Sequence, residues 1–293
     1  MPRKTKKSLL KERSENKIAD TSTSIAKGGR VDKYRRRKAY SSQMSQALVG
    51  RKVSPGFVHQ DELLATYRFK GFEYGNWCTQ QDRADFLAMS EQSFRDLSRV
   101  LGWKNLGMDS TIGVAYGARG MGGTASAHFE PETFMINLTK TRGFGSFAHE
   151  YGHALDCFFG TYIDQSPQCR FLTNEHTSLR HMKLDAFAPG SLRYLANDLV
   201  NKIIEVEQGK RSESYRRLQA AKAKRYWFRR IEIFARFFEQ YIQYQLRQKK
   251  IVNRFLTEYK YTGAVYLTPK DFHRVRPIMD KLVTAMAAIV NKK

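Results

Sequence analysis

The chain has 293 residues, of which 41% are hydrophobic, enough to bury a substantial core and to exclude wholesale disorder. Its 51 lysines and arginines outnumber 28 acidic residues, and this net charge of +23 favours nucleic acid or another polyanion as a partner. The sequence has no apolar run long enough to span a bilayer and no secretory signal, and its three widely spaced cysteines fit neither a disulfide framework nor a CxxC metal clip. These features predict a protein that folds in a reducing, intracellular compartment and has no membrane partner.

Residues 1–52 are predicted to form a basic arm. They hold 16 lysines and arginines and 4 acidic residues, and "KYRRRK" (33–38) is the densest part. Few large apolar residues occur there, so the arm cannot bury enough surface to fold alone. We expect it to bind nucleic-acid phosphates; a solvated tail without a specific partner is the alternative. The candidate contacts are Lys33, Arg35, Arg36, Arg37 and Lys38.

Residues 53–293 are predicted to form one domain, with a sheet-containing part to about residue 160 and a mainly helical part after it. The apolar periodicity of residues 80–102 predicts a helix that starts after Thr79 and stops at Gly102. Two short apolar stretches separated by "EPET" then predict a β-hairpin around Pro131.

The stretch "GSFAHEYGHALDCFFG" (145–160) carries the most specific motif. His149 and His153 lie four residues apart, so on a helix both imidazoles face the same way and can bind one Zn²⁺. Glu150 then lies beside the metal, where its carboxylate can take a proton from a water molecule. Two core histidines with a chance glutamate would be the alternative. Because the rest of the helix is mostly apolar, however, these polar groups would be costly to bury unless something satisfied them.

Gly152 lies inside the same motif. Glycine disfavours a helix interior by about 1 kcal/mol relative to alanine. We therefore expect Gly152 to allow another segment to approach the helix closely.

A catalytic zinc needs a third protein ligand and one open position. The best candidate region is "YWFRRIEIFARFFEQYIQYQL" (226–246), whose apolar residues recur at helical spacing. It holds Glu232 and, two turns later, Glu239. Either carboxylate can complete the site if this helix packs against the His helix; both can also be ordinary surface glutamates.

Several of these segments resemble, in the same order, the zincin-like metallopeptidase domain of the large polyvalent proteins of phages and conjugative elements. The resemblance covers about residues 65 to 285 and omits the basic arm. The matching pieces are "FKGFEYGNW" (69–77), "GVAYGARGMGG" (113–123), "AHFEP" (127–131), "INLTKTRGFGSFAHEYGHALD" (136–156), "YW" (226–227), "EIFARFFE" (232–239) and, less distinctively, "VYLTPKDFHRVRPIMDKLV" (265–283).

The resemblance implies a gluzincin arrangement. It assigns the zinc ligands to His149, His153 and Glu232 and the catalytic base to Glu150. It also implies a phage or mobile-element origin, and hence a host-cell cytoplasmic protein or one packaged in a virion with other virion proteins. In the segment before Glu232, "FRRI" (228–231) is bulkier and more basic than in relatives of the family.

Two further residues are assigned secondary roles. Tyr226 is a candidate donor to the oxyanion that forms during peptide hydrolysis, with an aromatic packing role beside Trp227 as the alternative. Asp156 lies three residues after His153 and is a candidate to orient a histidine ligand through its other ring nitrogen. An ordinary charge at the end of the helix is its alternative.

The predicted fold class is α+β and zincin-like, with a small sheet packed on the His helix and a helical half that supplies Glu232. The predicted function is that of a zinc metalloendopeptidase, with one Zn²⁺ per chain and a protein or peptide substrate. If "TFMINLT" (133–139) is an edge strand, an extended peptide can pair with it. The competing hypothesis is a basic architectural or virion-associated protein that binds nucleic acid and holds a structural or inactive zinc site.

Overall fold

The computed structural model describes residues 59–119, 125–165, 169–173, 183–222, 225–258 and 261–292. The basic arm 1–52 lies outside the described residues, as do all five of its candidate phosphate contacts. Within the described ranges no helix is long and apolar enough to cross a membrane.

The described elements alternate between strands and helices in the first half and are mainly helical in the second half. The strands are β1 (Phe72–Tyr74), β2 (Gly113–Tyr116), β3 (Ala127–Glu130), β4 (Met135–Leu138), β5 (Glu205–Glu207) and β6 (Lys210–Arg211). The α-helices are α1 (Gln60–Tyr67), α2 (Gln80–Leu101), α3 (Phe147–Phe158), α4 (Leu192–Ile204), α5 (Glu213–Ala220), α6 (Arg230–Gln248) and α7 (Pro269–Val290). The predicted α+β class is thereby confirmed.

Helix α2 begins and ends where the sequence predicts. The Thr79 side chain accepts a hydrogen bond from the backbone N–H of Asp82, and the Asp82 carboxylate accepts one from the backbone of Thr79, which forms a capping box. At the other end Gly102 adopts a φ of 82°, a conformation that glycine takes without steric cost.

The main sheet has four strands in the order β1-β2-β4-β3. Strands β1, β2 and β4 are parallel, and β3 pairs with β4 in the antiparallel hairpin predicted around Pro131. All four residues of β2 and of β4 are buried, as expected for strands flanked on both sides.

The suggestion that residues 133–139 form an edge strand is wrong. Strand β4 has hydrogen-bonded neighbours on both sides, β2 on one and β3 on the other. The two edge strands of the described sheet are β1 and β3. The hairpin places β3 at one edge, while β2 occupies the other side of β4.

Candidate metal centre

Helix α3 is held between the sheet and α6. Its start is fixed by the loop after α6, since the N–H groups of Gly145 and Ala148 donate to the carbonyls of Phe255 and Leu256. These bonds satisfy donors that a helix start otherwise leaves unpaired. The side chain of His149 at the first turn is therefore set in a fixed direction.

Gly152 lets α6 approach α3 closely, as its position in the motif predicts. A Cβ atom at this position would lie 3.3 Å from the Cα of Ala235 and 3.2 Å from Cδ1 of Phe238. Because part of this contact is backbone, a larger side chain cannot be accommodated by rotating a neighbour. The missing side chain thus sets the distance between the two helices and brings Glu232 to the histidines.

Gly152→Val is expected to lower the free energy of unfolding by about 1–3 kcal/mol, because it overpacks the contact between α3 and α6. Urea denaturation of the purified protein measures the effect. Gly71→Val is the matched control, since a Cβ at Gly71 meets nothing within 4 Å, and we expect it to stay within about 0.5 kcal/mol of the parent. Equal stability of the two variants would mean that Gly152 does not set this contact.

Three side chains converge between α3 and α6. The Nε2 atom of His153 lies 3.3 Å from Oε1 of Glu232, and Nε2 of His149 lies 3.6 Å from Oε2 of the same carboxylate. One donor atom from each of the three residues lies within 4.8 Å of the others. The sequence-based choice of these three residues is thus consistent with their placement.

The chemistry of these donors fits a divalent metal ion. Oε2 of Glu232 is buried and has no hydrogen-bond partner, although a buried carboxylate oxygen is costly to leave unsatisfied. Two imidazole nitrogens and one carboxylate are a common protein donor set for catalytic zinc. A cation among these three groups would provide the partner that the oxygen lacks.

The electrostatics of the cluster favour a cation in the same place. Burial alone would raise the pKa of the Glu232 carboxyl, but the nearby imidazoles of His149 and His153 outweigh it and hold the pKa well below its usual range. Burial likewise acts to lower the pKa of His149, yet Glu232, Glu239 and Glu150 raise it above its ordinary value. Three carboxylates therefore lie close enough to His149 to stabilise positive charge there.

The outer nitrogen of His149 faces Glu239. Its Nδ1 atom lies 3.6 Å from Oε2 of Glu239, which is itself buried. The other oxygen of Glu239 accepts a hydrogen bond from the Tyr261 hydroxyl at 2.8 Å. Glu239, weighed in the sequence as a rival third ligand, thus lies beside the ring nitrogen of His149 that faces away from Glu232.

Asp156 makes different contacts from those the sequence suggests. It is fully buried, and its carboxylate accepts hydrogen bonds from the backbone N–H and the hydroxyl of Thr173 at 3.0 and 2.5 Å. Both hydrogen bonds described for this carboxylate go to Thr173 rather than to a histidine, because the 169–173 segment packs against the end of α3. Burial raises the pKa of Asp156 to about 6, although His153 is close enough to act in the opposite direction.

Glu150 lies close to the three converging side chains. It is 6% exposed, and burial raises the pKa of its carboxyl above the ordinary value, while the charges of His149 and His153 lower it. A carboxylate with a raised pKa is a better proton acceptor at neutral pH. Its position one residue past His149 is the one the motif predicts for a general base.

A cleft of about 550 Å³ opens onto His149, Glu150 and Glu232. One wall comes from residues 125–127 at the start of the edge strand β3, and the opposite wall comes from α6 and the residues before it. The sequence analysis gave no role to several lining residues, among them Arg236, Glu258 and Tyr266. Arg236 lies inside the motif at 232–239, but only the tertiary fold brings these three side chains to the cleft.

Tyr226 lies in a short 3₁₀ turn, Arg225–Phe228, and lines this cleft. Burial and the nearby carboxylates of Glu232 and Glu150 raise the pKa of its phenol, so the hydroxyl remains a donor at neutral pH. Its ring also packs edge-on against Trp227, with centroids 5.6 Å apart. The geometry is compatible with both roles weighed from the sequence.

The bulky segment 228–231 does not line the cleft. Arg230 is fully buried and donates hydrogen bonds to the Thr173 carbonyl and to the side chains of Asn197 and Asn201. Its guanidinium therefore ties α6 to α4 and to the 169–173 segment. The bulky, basic residues of this segment thus support α6 and are not among the lining residues of the cleft.

Fold and site together define an α+β protein with a candidate metal centre between two helices. Residues 218–289 match the family model of large polyvalent protein-associated domain 1. This segment runs from α5 into α7 and includes Glu232 and Glu239, whereas His149 and His153 precede it. No curated protein and no solved structure matches the chain.

Proposed function

We propose that the protein is a zinc-dependent endopeptidase. The observation that supports this most directly is the placement of Glu150 at an open cleft, next to three side chains that converge on an unsatisfied buried oxygen. A site that only stabilises the fold would be closed by protein ligands and would have no use for a base in a cleft. Zinc fits the donor set, and one ion per chain is proposed.

A zinc ion held by His149, His153 and Glu232 would act as a Lewis acid that makes water a better nucleophile and polarises the substrate carbonyl. The chain's own groups complete the reaction. Glu150 accepts the proton of the attacking water and returns it to the nitrogen of the departing amine. The Tyr226 hydroxyl donates a hydrogen bond to the oxygen that gains negative charge as the carbonyl is attacked. Glu239 keeps the His149 ring in one orientation.

The substrate is proposed to be an extended peptide. Among the described residues the edge strand β3 pairs with β4 only, and Ala127 at its start and Ser126 before it line the cleft beside Glu150. A peptide that pairs with β3 would therefore run along the cleft, with its side chains alternating between the cleft floor and solvent. This replaces the pairing with residues 133–139 that the interior position of β4 excludes.

The test is cleavage of a peptide library by zinc-loaded protein, read by mass spectrometry. We expect new peptide termini that disappear when the metal is removed with a chelator and return when zinc is restored. Cleavage that persists without metal, or no cleavage with zinc fully loaded, would contradict the proposal. Library cleavage also reveals the preferred side chains on either side of the broken bond.

The setting of the protein is proposed to be a phage or another mobile element. The match of residues 218–289 to a domain associated with large polyvalent proteins supports this. On this view the protein acts in the cytoplasm of the host cell or is packaged with other virion proteins.

A second candidate function is that of a basic architectural or virion-associated protein. The net charge of +23 favours it, with +12 in residues 1–52 alone. The two functions are compatible, because the arm can hold a peptidase on nucleic acid. The architectural function stands alone only if the metal site proves inactive.

Removal of residues 1–52 is expected to weaken binding to duplex DNA and to flatten its dependence on salt. Each lost phosphate contact should reduce the log–log slope by about 0.9, because fewer counterions are released. Fluorescence anisotropy over a salt series measures both. Circular dichroism controls for folding of the shortened chain. An unchanged slope in a folded variant would show that the arm has another partner or none.

A further inference from the structure

A second cavity, of about 300 Å³, lies in the helical half and shares no lining residue with the cleft. Its walls are the C-terminal half of α6, residues 261–267, and the first turns of α7. The volume is at the lower end of the range that small-molecule sites occupy. It lies entirely within the segment that matches the family model.

One wall of this cavity is aromatic. The half-buried ring of Tyr244 packs against Phe272 and His273, with ring centroids 5.3 and 5.8 Å away. Tyr261 adds a third phenyl group to the lining. The rings meet edge-on or tilted, and the Arg276 guanidinium lies over the Tyr244 ring, 5.4 Å from its centroid. A cluster of aromatic rings of this kind favours a ligand that has a flat π system of its own.

The polar side-chain groups of Tyr261 and Gln240 in this cavity already have hydrogen-bond partners within the protein. The Tyr261 hydroxyl donates a hydrogen bond to the Glu239 carboxylate, which holds the Tyr261 ring in place. The side-chain amide of Gln240 accepts a hydrogen bond from the backbone N–H of Leu267 and donates one to the backbone carbonyl of Leu267. A ligand would therefore meet a preorganised surface and would lose little free energy in ordering it.

Basic residues lie at the rim of the cavity and next to it in the chain. Arg247, at the end of α6, lines the cavity. On α7, Lys270 comes directly after the lining residue Pro269 and lies one turn before His273, which also lines the cavity. The side chains of Arg247 and Lys270 are exposed. Two acids on α7 have basic partners on the same helix: Asp271 pairs with Arg274 and Asp280 pairs with Arg276.

We propose that this cavity binds a nucleotide unit, with its base against the wall of Tyr244, Phe272 and His273 and its phosphate at the cationic rim. Base stacking on aromatic side chains together with phosphate neutralisation is the recognition mode of single-stranded nucleic acid. A free nucleotide offers the same two groups, a base and a phosphate. A duplex does not offer this chemistry, since its bases stay stacked inside the helix. The site is separate from residues 1–52 and does not depend on hydrolysis at the metal centre.

Photocrosslinking locates the bound base directly. The full-length protein is irradiated with a single-stranded oligonucleotide of about ten residues that carries 5-iododeoxyuridine, a length within the usual site sizes, and the crosslinked peptides are identified by mass spectrometry. We expect crosslinks at Tyr244, Phe272 or His273. Crosslinks confined to residues 1–52, or to residues outside this wall, would overturn the proposal.

Two substitutions at one position test the stacking. Tyr244→Ala should weaken oligonucleotide binding about 5- to 150-fold, the range expected for one lost base–aromatic stack. Tyr244→Phe keeps the ring and should bind like the parent. Tyr162→Ala is the matched control, because Tyr162 is another partly exposed tyrosine that lies outside the cavity. Parental affinity in a folded Tyr244→Ala variant would overturn the proposal; if that variant does not fold, the crosslinking result decides.

Competition separates the two sources of the nucleotide. Adenosine monophosphate that displaces the labelled oligonucleotide from the crosslinked wall indicates a site for free nucleotides. Displacement by unlabelled oligonucleotide only indicates single-stranded nucleic acid. If neither reduces the crosslinks at the wall, the labelling is nonspecific and the proposal fails.

Discussion

Glu150→Gln is expected to reduce peptide hydrolysis by about 100- to 10,000-fold while leaving metal content and melting temperature nearly unchanged. The amide keeps the size and shape of the side chain but cannot accept a proton, and general-base catalysis contributes a factor of this order. Measuring kcat/KM on a peptide from the library screen gives the loss. Because Glu150 is not among the three converging donors, the metal should remain bound.

A matched surface substitution shows whether the loss is specific. Glu207→Gln makes the same chemical change at an exposed position of β5, outside the residues that line the cleft, and should hydrolyse peptides like the parent. If Glu150→Gln also retains parental activity, the residue is not the base and the site is not the proposed catalyst. If it loses zinc instead, Glu150 is a ligand and the donor set has been misassigned.

Glu232→Gln should weaken zinc binding more than Glu239→Gln does. The first change replaces a charged ligand by a weakly coordinating amide, and the second removes a carboxylate that orients His149. Outer partners of this kind typically contribute about 10- to 100-fold in metal affinity, so a larger loss is expected for Glu232→Gln. Competition with a chelator of known affinity measures both constants.

These two variants control for each other, because both glutamates are buried on α6 and both changes are isosteric. Glu232→Gln should also lower the melting temperature of the zinc-loaded protein, since metal that binds only the folded state stabilises it. The opposite ranking, with zinc retained in Glu232→Gln and lost in Glu239→Gln, would exchange the roles of the two carboxylates. Equal zinc affinity in the two variants would mean that Glu232 is not a metal ligand.

The sequence was sufficient to predict the parts of the site that one helix determines. The four-residue spacing of His149 and His153 dictates that they share a face, and Gly152 marks where another helix approaches. The choice of Glu232 over Glu239 rested on resemblance rather than on spacing. The two carboxylates lie seven residues apart on α6, so they face the same side of the helix. Only the packing of α6 on α3 determines which of them reaches both histidines.

The features that sequence reasoning missed depend on contacts between distant segments. Alternating apolar residues predicted the hairpin but not the strand order, because β2 and β4 pair although β3 lies between them in the chain. Asp156 lies on α3 three residues after His153, yet its carboxylate accepts hydrogen bonds from Thr173. Arg236, Glu258 and Tyr266 reach the cleft only through tertiary packing. The role of residues 1–52 stays a prediction.

The zinc content of the protein tests the central claim most directly. Elemental analysis of protein purified without chelators and loaded with zinc should give about one equivalent per chain in the parent and close to none in His153→Ala, because structural and catalytic zinc sites depend on each imidazole ligand. His273→Ala, which removes an exposed histidine far along the chain on α7, should keep the full equivalent. A parent that holds no zinc, or a His153→Ala variant that keeps one equivalent, would contradict the proposed metal centre.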